Sequence, residues 1–339
     1  MKRRVVGTIA VAALVMATAS LPLRAGAGPV RKIVFTRFVG GTIALFSVNP
    51  DGSDVVRLTP KEVWAYDPMI SPDGTEVAFA NCPRRCNIAV VGIDGTDLTQ
   101  LTTGPAIETY PVWSPDGSKI AFSSAESYDA GAALYAMNAD GSDSTALTGD
   151  RWHNSFPSWS PDGIELVFAR FQRSDYEIYK TAADGSDLTR LTNNRGQDHM
   201  PQWSPDGTRI IYSFAPRSIK DYEIISIAPD GGDKKRLTDN TFRDDMGPRW
   251  GPDGARISFV RCQGSTCDLY AMDADGTGKT KLVHGGVENL SHAWGPDGGA
   301  IVLTRVRHHR YDVFTVGSAG GGLTNLTDTP RRDEATVDW

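Results

Sequence analysis

Ser71-Pro72-Asp73-Gly74 is a phrase that returns at 114–117, 160–163 and 204–207, and as Gly-Pro-Asp-Gly at 251–254 and 295–298. Successive copies lie 43, 46, 44, 47 and 44 residues apart. Proline presets φ and glycine accepts a positive φ, so each copy reads as a tight reversal of the chain. A fixed period of this size marks an array of like supersecondary units, and ~40–45 residues per four-stranded blade is the period of a β-propeller.

Working outward from the turn, the same strands recur. Ahead of it runs a short strand ending in Trp113, Trp159, Trp203, Trp250 or Trp294, with Ile70 in the first copy. Behind it comes an alternating apolar strand such as Lys119-Ile-Ala-Phe122 or Arg209-Ile-Ile-Tyr212, the pattern of a half-buried strand. A third strand, such as Leu134-Tyr-Ala-Met137, leads into a second turn at Asp51, Asp94, Asp140, Asp184, Asp230 or Asp275, each followed by Gly. A fourth ends in Leu-Thr, as at Leu147-Thr148 and Leu237-Thr238. No helical period of useful length occurs, so the expected class is all-β.

The apolar second strand occurs seven times, starting near Lys32, Glu76, Lys119, Glu165, Arg209, Arg256 and Ala300. The chain enters at a second strand and stops at a first strand, Glu334–Trp339, which ends on a Trp in register with the others. The expectation is a seven-bladed β-propeller of four-stranded blades, with one closing blade shared by the N- and C-terminal strands. Closure removes the exposed sheet edges.

The phrase Pro-x-Trp-Ser-Pro-Asp-Gly, then Lys-Ile-Ala-Phe, then Leu-Tyr-Ala-Met-Asn-Ala-Asp-Gly, resembles the WD40-like (PD40) propeller repeats of the TolB family, over essentially all of residues 31–339. The resemblance implies a propeller that binds a partner. It departs from the family pattern in two respects: TolB has an α/β domain ahead of a six-bladed propeller. The same repeats also precede peptidase domains, but here no Gly-x-Ser-x-Gly elbow follows them.

Lys2, Arg3 and Arg4, an apolar run from Val5 to Leu23, and Ala25-Gly26-Ala27 fit a secretory signal peptide over residues 1–27, cleaved near Ala27. Residues 28–339 then form a single propeller domain, secreted or periplasmic after Sec export, with no further stretch long enough to span a membrane. That segment has 31 Lys and Arg against 41 Asp and Glu, which argues against a nucleic-acid partner. A monomer is expected. Cys82 and Cys86, and Cys262 and Cys267, form two close local pairs among three possible connectivities. Export favours disulfides, with zinc binding by all four as the rival.

Up-and-down connectivity places both Asp-Gly turns of every unit on one face. The connections between strands 2 and 3 and between strands 4 and 1 lie on the other, and these vary in length and chemistry, as binding loops do. Five residues before each strand-1 Trp stand Glu108, Asn154, Asp198, Asp245, Asn289 and Glu334, with Ala65 breaking the series. Around a channel mouth they form a candidate binding ring for a cation such as Ca²⁺. The competing reading is that they cap backbone amides between blades.

The histidines fall on the same variable face. His153, His199, His284 and His292 are in or beside strand 4–1 connections, and His308 and His309 are in a strand 2–3 loop. Propeller polysaccharide lyases with similar repeats use a His-lined metal site, so His153, His199 and His292 are candidate transition-metal ligands, though no His-Glu-x-x-His spacing fixes them. Arg84, Arg85, Arg170, Arg173, Arg217, Lys220, Arg305, Arg307 and Arg310 are assigned to strand 2–3 loops. The leading expectation is a non-enzymatic module that binds a protein or glycan and carries no cofactor. The alternative is a metal-dependent polysaccharide lyase or hydrolase with a His/carboxylate site in the channel.

Overall fold

Every Ser-Pro-Asp-Gly phrase folds into a turn that satisfies its own polar groups. In the copy at 114–117, Ser114 Oγ donates to Asp116 (2.6 Å) and accepts from Lys119 N (2.9 Å), while Gly117 N donates to Ser114 O (2.9 Å). Gly117 has φ +71°, which only glycine adopts without strain. The Ser114 bond, with the backbone N–H and the hydroxyl of Ser118, holds the Asp116 carboxyl down at about 2. In the copy that begins at Gly295 the serine is absent. A Cβ there would stand 3.0–3.2 Å from ring atoms of Trp339, so glycine makes room for that indole.

The computed structural model describes residues 31–149, 152–217, 221–285, 291–307, 310–328 and 333–339. Arg31–Trp339 forms one compact unit. The signal-peptide expectation, Asn289, His308, His309 and Lys220 lie outside the described residues. Among the described residues there is no helix, and none long and apolar enough to cross a membrane. The fold is all-β.

The strands follow one another in antiparallel runs of four. The first unit runs from Ala65–Ile70 to Thr99–Gln100, the second from Ile107–Trp113 to Thr145–Ala146, and the third from His153–Trp159 to Thr189–Arg190. The fourth runs from Gly196–Trp203 to Lys235–Arg236, the fifth from Asp244–Trp250 to Thr280–Val283, and the sixth from His292–Trp294 to Thr324–Asn325. Asp333–Asp338 pairs antiparallel with Ile33–Val39, which continues into Thr42–Val48 and Val56–Arg57, so the two ends of the described chain build one terminal sheet. The second, third and fourth units are linked into a larger sheet by parallel bridges at Ala132–His153 and Tyr176–Gln197.

The core lies between units. Trp113, Ile120 and Phe122 of the second unit pack on Ala78, Ile88 and Val90 of the first. Val302 and Val313 of the sixth pack with Phe35 and Phe46 of the terminal sheet, whose Val34 and Leu45 pack on Val77 and Phe79 of the first. The strand-1 tryptophans also tie neighbours by hydrogen bonds: Trp113 Nε1 donates to Met69 O (3.1 Å), Trp159 Nε1 to Val112 O (3.2 Å) and Trp294 Nε1 to Arg249 O (3.2 Å).

The Leu-Thr ending has a definite job. The Thr hydroxyl accepts the third-strand N–H in the pairs Leu45–Thr59, Ile88–Thr102, Leu134–Thr148, Ile178–Thr192, Ile224–Thr238 and Val313–Thr327, at 2.8–3.0 Å. It completes a ladder where the backbone of the two-residue fourth strand has already turned away. In the fifth unit Val283 occupies this place, and the backbone itself pairs instead (Leu269–Val283), in a four-residue strand.

Both cysteine pairs are local disulfides, Cys82–Cys86 and Cys262–Cys267. Each closes the connection between the second and third strands of its unit, and the sulfurs are not a zinc set.

Candidate functional site

The variable face is shaped by a break in the first strand. Pairing with the second strand slips between Tyr66/Met69, Thr109/Val112, Ser155/Ser158, His199/Gln202 and Met246/Arg249. At each slip a residue takes positive φ: Asp67 (50°), Tyr110 (55°), Phe156 (56°), Met200 (54°) and Gly247 (61°). These are β-bulges, which re-aim side chains at a sheet rim. A proline follows every one of them. It lacks the N–H that a regular ladder needs, so the Pro of Pro-x-Trp was the available signal for the bulge.

The bulge residues meet from unit to unit. Tyr110 N donates to the Asp67 carboxylate, and burial pushes the Asp67 carboxyl up to about 6. The rings of Tyr110 and Phe156 lie 4.8 Å apart. His199 continues the aromatic surface, its ring 4.2 Å from Tyr176 and 6.1 Å from Tyr222.

The series five residues before each Trp sits just behind this surface. Asn154, Asp198, Asp245 and Glu334 are fully buried. Asn154 Nδ2 donates to Ala132 O of the preceding unit (2.6 Å), and its Oδ1 accepts from Arg170 Nε (2.7 Å). Asp245 takes a two-pronged bond from Arg261 (2.6 and 2.7 Å), and Glu334 accepts from Arg37 Nε (2.7 Å). Glu108 accepts from Thr102 Oγ1, and burial raises its carboxyl above the usual range.

Glu177 extends this network between the third and fourth units. It accepts from Arg190 (2.7 Å), Thr192 Oγ1 (2.7 Å) and Asn194 N (3.1 Å), while Asn194 Nδ2 reaches Asp198 (2.7 Å). One unit further on, Glu223, Arg236, Thr238, Asn240 and Asp245 repeat the arrangement.

Several arginines assigned to loops from sequence lie in strands instead. Arg170 is buried in Glu165–Gln172, its guanidinium 4.5 Å from the Tyr179 ring centre. Arg261 and Arg37 stack in the same way on Tyr270 (4.7 Å) and Phe46 (4.7 Å). Arg305 lies in Ala300–Arg307 and donates to His284 O and Gly285 O. The hairpins are tighter than the sequence suggested: Gln172 pairs with Asp175 across a two-residue turn, with φ 53° at Arg173 and 83° at Ser174.

The histidines are dispersed. His292 is buried, with Nε2 2.9 Å from Ser258 Oγ. Burial lowers the His199 imidazole to about 4 and depresses that of His153. His284 is exposed, 3.5 Å from Asp268. Among the described residues no three His, Cys, Asp or Glu side chains gather as a metal-binding group, so His153, His199 and His292 do not share a donor set.

Beside His153 the surface opens into a cleft of about 420 Å³. Its aromatic walls are Tyr128 from the strand 2–3 connection of the second unit, Phe171 and Tyr176 from the hairpin of the third, and Trp152 just ahead of the third unit's first strand. Sequence reasoning passed over these aromatics; their occurrence beside polar loop residues was the signal.

Repeating four-stranded units bound through inter-unit cores, with variable connections gathered on one rim, define a β-propeller repeat protein. The chain belongs to the TolB β-propeller domain family (PD40), which matches residues 31–243. No curated relative matches it. Among solved structures it is similar to the putative TolB from Agrobacterium tumefaciens at 24% identity, TM-score 0.59, over 80% of this chain and 96% of that one. An oligogalacturonate lyase in complex with manganese shares 14% identity, TM-score 0.70, over 85% and 86% of the two chains. Puromycin hydrolase shares 16% identity, TM-score 0.73, over 89% of this chain and 53% of that one. At these identities the likeness is one of fold.

Proposed function

We propose that this chain is an exported, non-enzymatic propeller of seven four-stranded blades that binds a protein or glycan through its variable-loop rim. The observation that carries the reading is where the polar groups of that rim are spent. Asn154, Asp198, Asp245 and Glu334 are fully buried and already hydrogen-bonded within the protein, and the described histidines are dispersed among units. What the rim offers to solvent is aromatic surface and loop charge. Glu108, Asn154, Asp198, Asp245 and Glu334, with Asn289, serve this reading as the framework of the channel mouth. Seven blades and ring closure are supported by the terminal sheet, whose faces pack on both the sixth and the first units. Export is supported by the two disulfides, which fit an oxidising compartment.

The test is a screen of purified residues 28–339 against immobilised proteins and glycans, run together with metal analysis and assays for polysaccharide cleavage. A ligand whose retention falls on substitution in the strand 2–3 and 4–1 connections, and not in the Asp-Gly turns, is the expected result. Turnover of a polysaccharide, or a transition metal that is lost in His199→Ala and His292→Ala, would overturn the reading in favour of a metal-dependent lyase or hydrolase.

A further inference from the structure

The cleft between the second and third units has features that narrow its ligand. Tyr128 is 80% exposed and Phe171 40%, so both rings present surface to water. Tyr176 backs Phe171 at 5.0 Å between ring centres, which holds that ring at a set angle. From Tyr176 the aromatic surface continues through His199 to Tyr222 of the fourth unit. The rings form a track along successive units instead of a single hole.

Beside the Tyr128 and Tyr176 hydroxyls and the Trp152 indole, the polar side chains of the cleft include Asp129, His153 and Arg173. They supply a carboxylate acceptor, a guanidinium donor, and an imidazole that burial keeps neutral at pH 7, and hence both donor and acceptor. Among the described lining residues, one negative and one positive group leave no net charge to select an acidic or basic ligand. A ligand matched to this set has flat apolar faces for the rings and hydroxyls around its edge that both give and take hydrogen bonds.

Main-chain recognition of a peptide is disfavoured here. Adding a peptide strand needs an unpaired sheet edge. At this rim the third strands of the second and third units are already bridged to the next first strand, at Ala132–His153 and Tyr176–Gln197.

We propose that the cleft walled by Tyr128, Phe171 and Tyr176 is a binding site for a neutral linear oligosaccharide, whose sugar rings stack on the aromatic track while Asp129, His153 and Arg173 bond its hydroxyls. The proposal rests on the reading of the chain as a rim-binding module and names the ligand class for one part of that rim. Stacked contacts on aromatic rings contribute on the order of 0.5–1.5 kcal/mol each, so removing one ring weakens binding roughly two- to tenfold.

The experiment is calorimetric titration of the full mature protein with cello-, chito- and malto-oligosaccharides of two to four sugars, with digalacturonate as the acidic counterpart. Saturable binding of a neutral series is expected, weakened roughly two- to tenfold in Tyr128→Ala and in Phe171→Ala and unchanged in Phe242→Ala, an exposed ring outside the cleft. Tyr128 and Phe171 are exposed, so both variants retain the core, and thermal melts verify it. Binding of digalacturonate alone, neutral binding that both variants leave untouched, or no saccharide binding overturns the assignment. A protein ligand captured on the rim in the absence of any saccharide binding overturns this inference and leaves the rim-binding reading standing.

Discussion

Asp198 is one of two acids of its series with no arginine across from it; the other, Glu108, faces Ser124. Arg170 pairs with Asn154, Arg261 with Asp245 and Arg37 with Glu334, but the partner of Asp198 in the ladder is Phe214. A fully buried carboxylate is left with Asn194 as its short-range donor and with Glu177 as a like-charged neighbour. Burial foremost, and Glu177 after it, push its carboxyl up to about 7, against the pull of the nearby Thr192 and Asn194 and the more distant Lys234. The folded protein therefore holds this proton over a range in which the unfolded chain has released it. Stability falls as pH rises from the ordinary carboxylate value, ~4, to about 7, by at most about 1.4 kcal/mol per pH unit, and the loss is complete above that. Phe214→Arg supplies the missing cation, so it flattens this fall and raises stability at pH 8 by about 1–3 kcal/mol relative to the parent. Urea unfolding at pH 5 and pH 8 reads both quantities; equal pH slopes in parent and variant would show that Asp198 is not the group responsible.

The strands themselves were largely legible in the sequence, because turn residues and period-two alternation act locally and recur. Their uses were less so. Leu-Thr was visible as a phrase, but the hydroxyl's bond to a strand fourteen residues earlier depends on hairpin register, which composition does not carry. Thr238→Val keeps the shape and removes that acceptor from Ile224 N and a donor from the buried Glu223, for a cost of about 1–3 kcal/mol in chemical denaturation. A cost below about 0.5 kcal/mol would mean that water replaces the hydroxyl there. The candidate ring was found by counting back from Trp, and its residues do occupy equivalent places. What counting did not reveal is the burial of Asn154, Asp198 and Asp245, because the bulge beside each turns the strand, and its mark, a proline, reads from sequence as an ordinary turn former. Arg170 and Arg305 were misplaced for the complementary reason: charge suggested loop, whereas stacked aromatic rings and carbonyl partners keep both in strands.

At the scale of the molecule, the terminal sheet joins residues about 300 positions apart: Arg37 meets Glu334, and Thr36 Oγ1 lies 3.0 Å from Thr336 Oγ1. Deleting residues 333–339 leaves the buried Arg37 without its acid, uncovers Ile33–Val39 as a free edge and removes Val337 and Trp339 from their core. Losing one partner of a buried ion pair costs about 3–5 kcal/mol by itself. The expected outcome is a lowered melting temperature and concentration-dependent aggregation through the open edge, seen by calorimetry and light scattering. An unchanged melt would count against a closed ring. The same join sets an order for folding. Six units carry all four of their strands in one continuous stretch, whereas the terminal sheet forms only when Asp333–Asp338 finds Ile33–Val39. Local hairpins close before so distant a pair can meet, so the last strand to dock is the one whose partner lies farthest away along the chain.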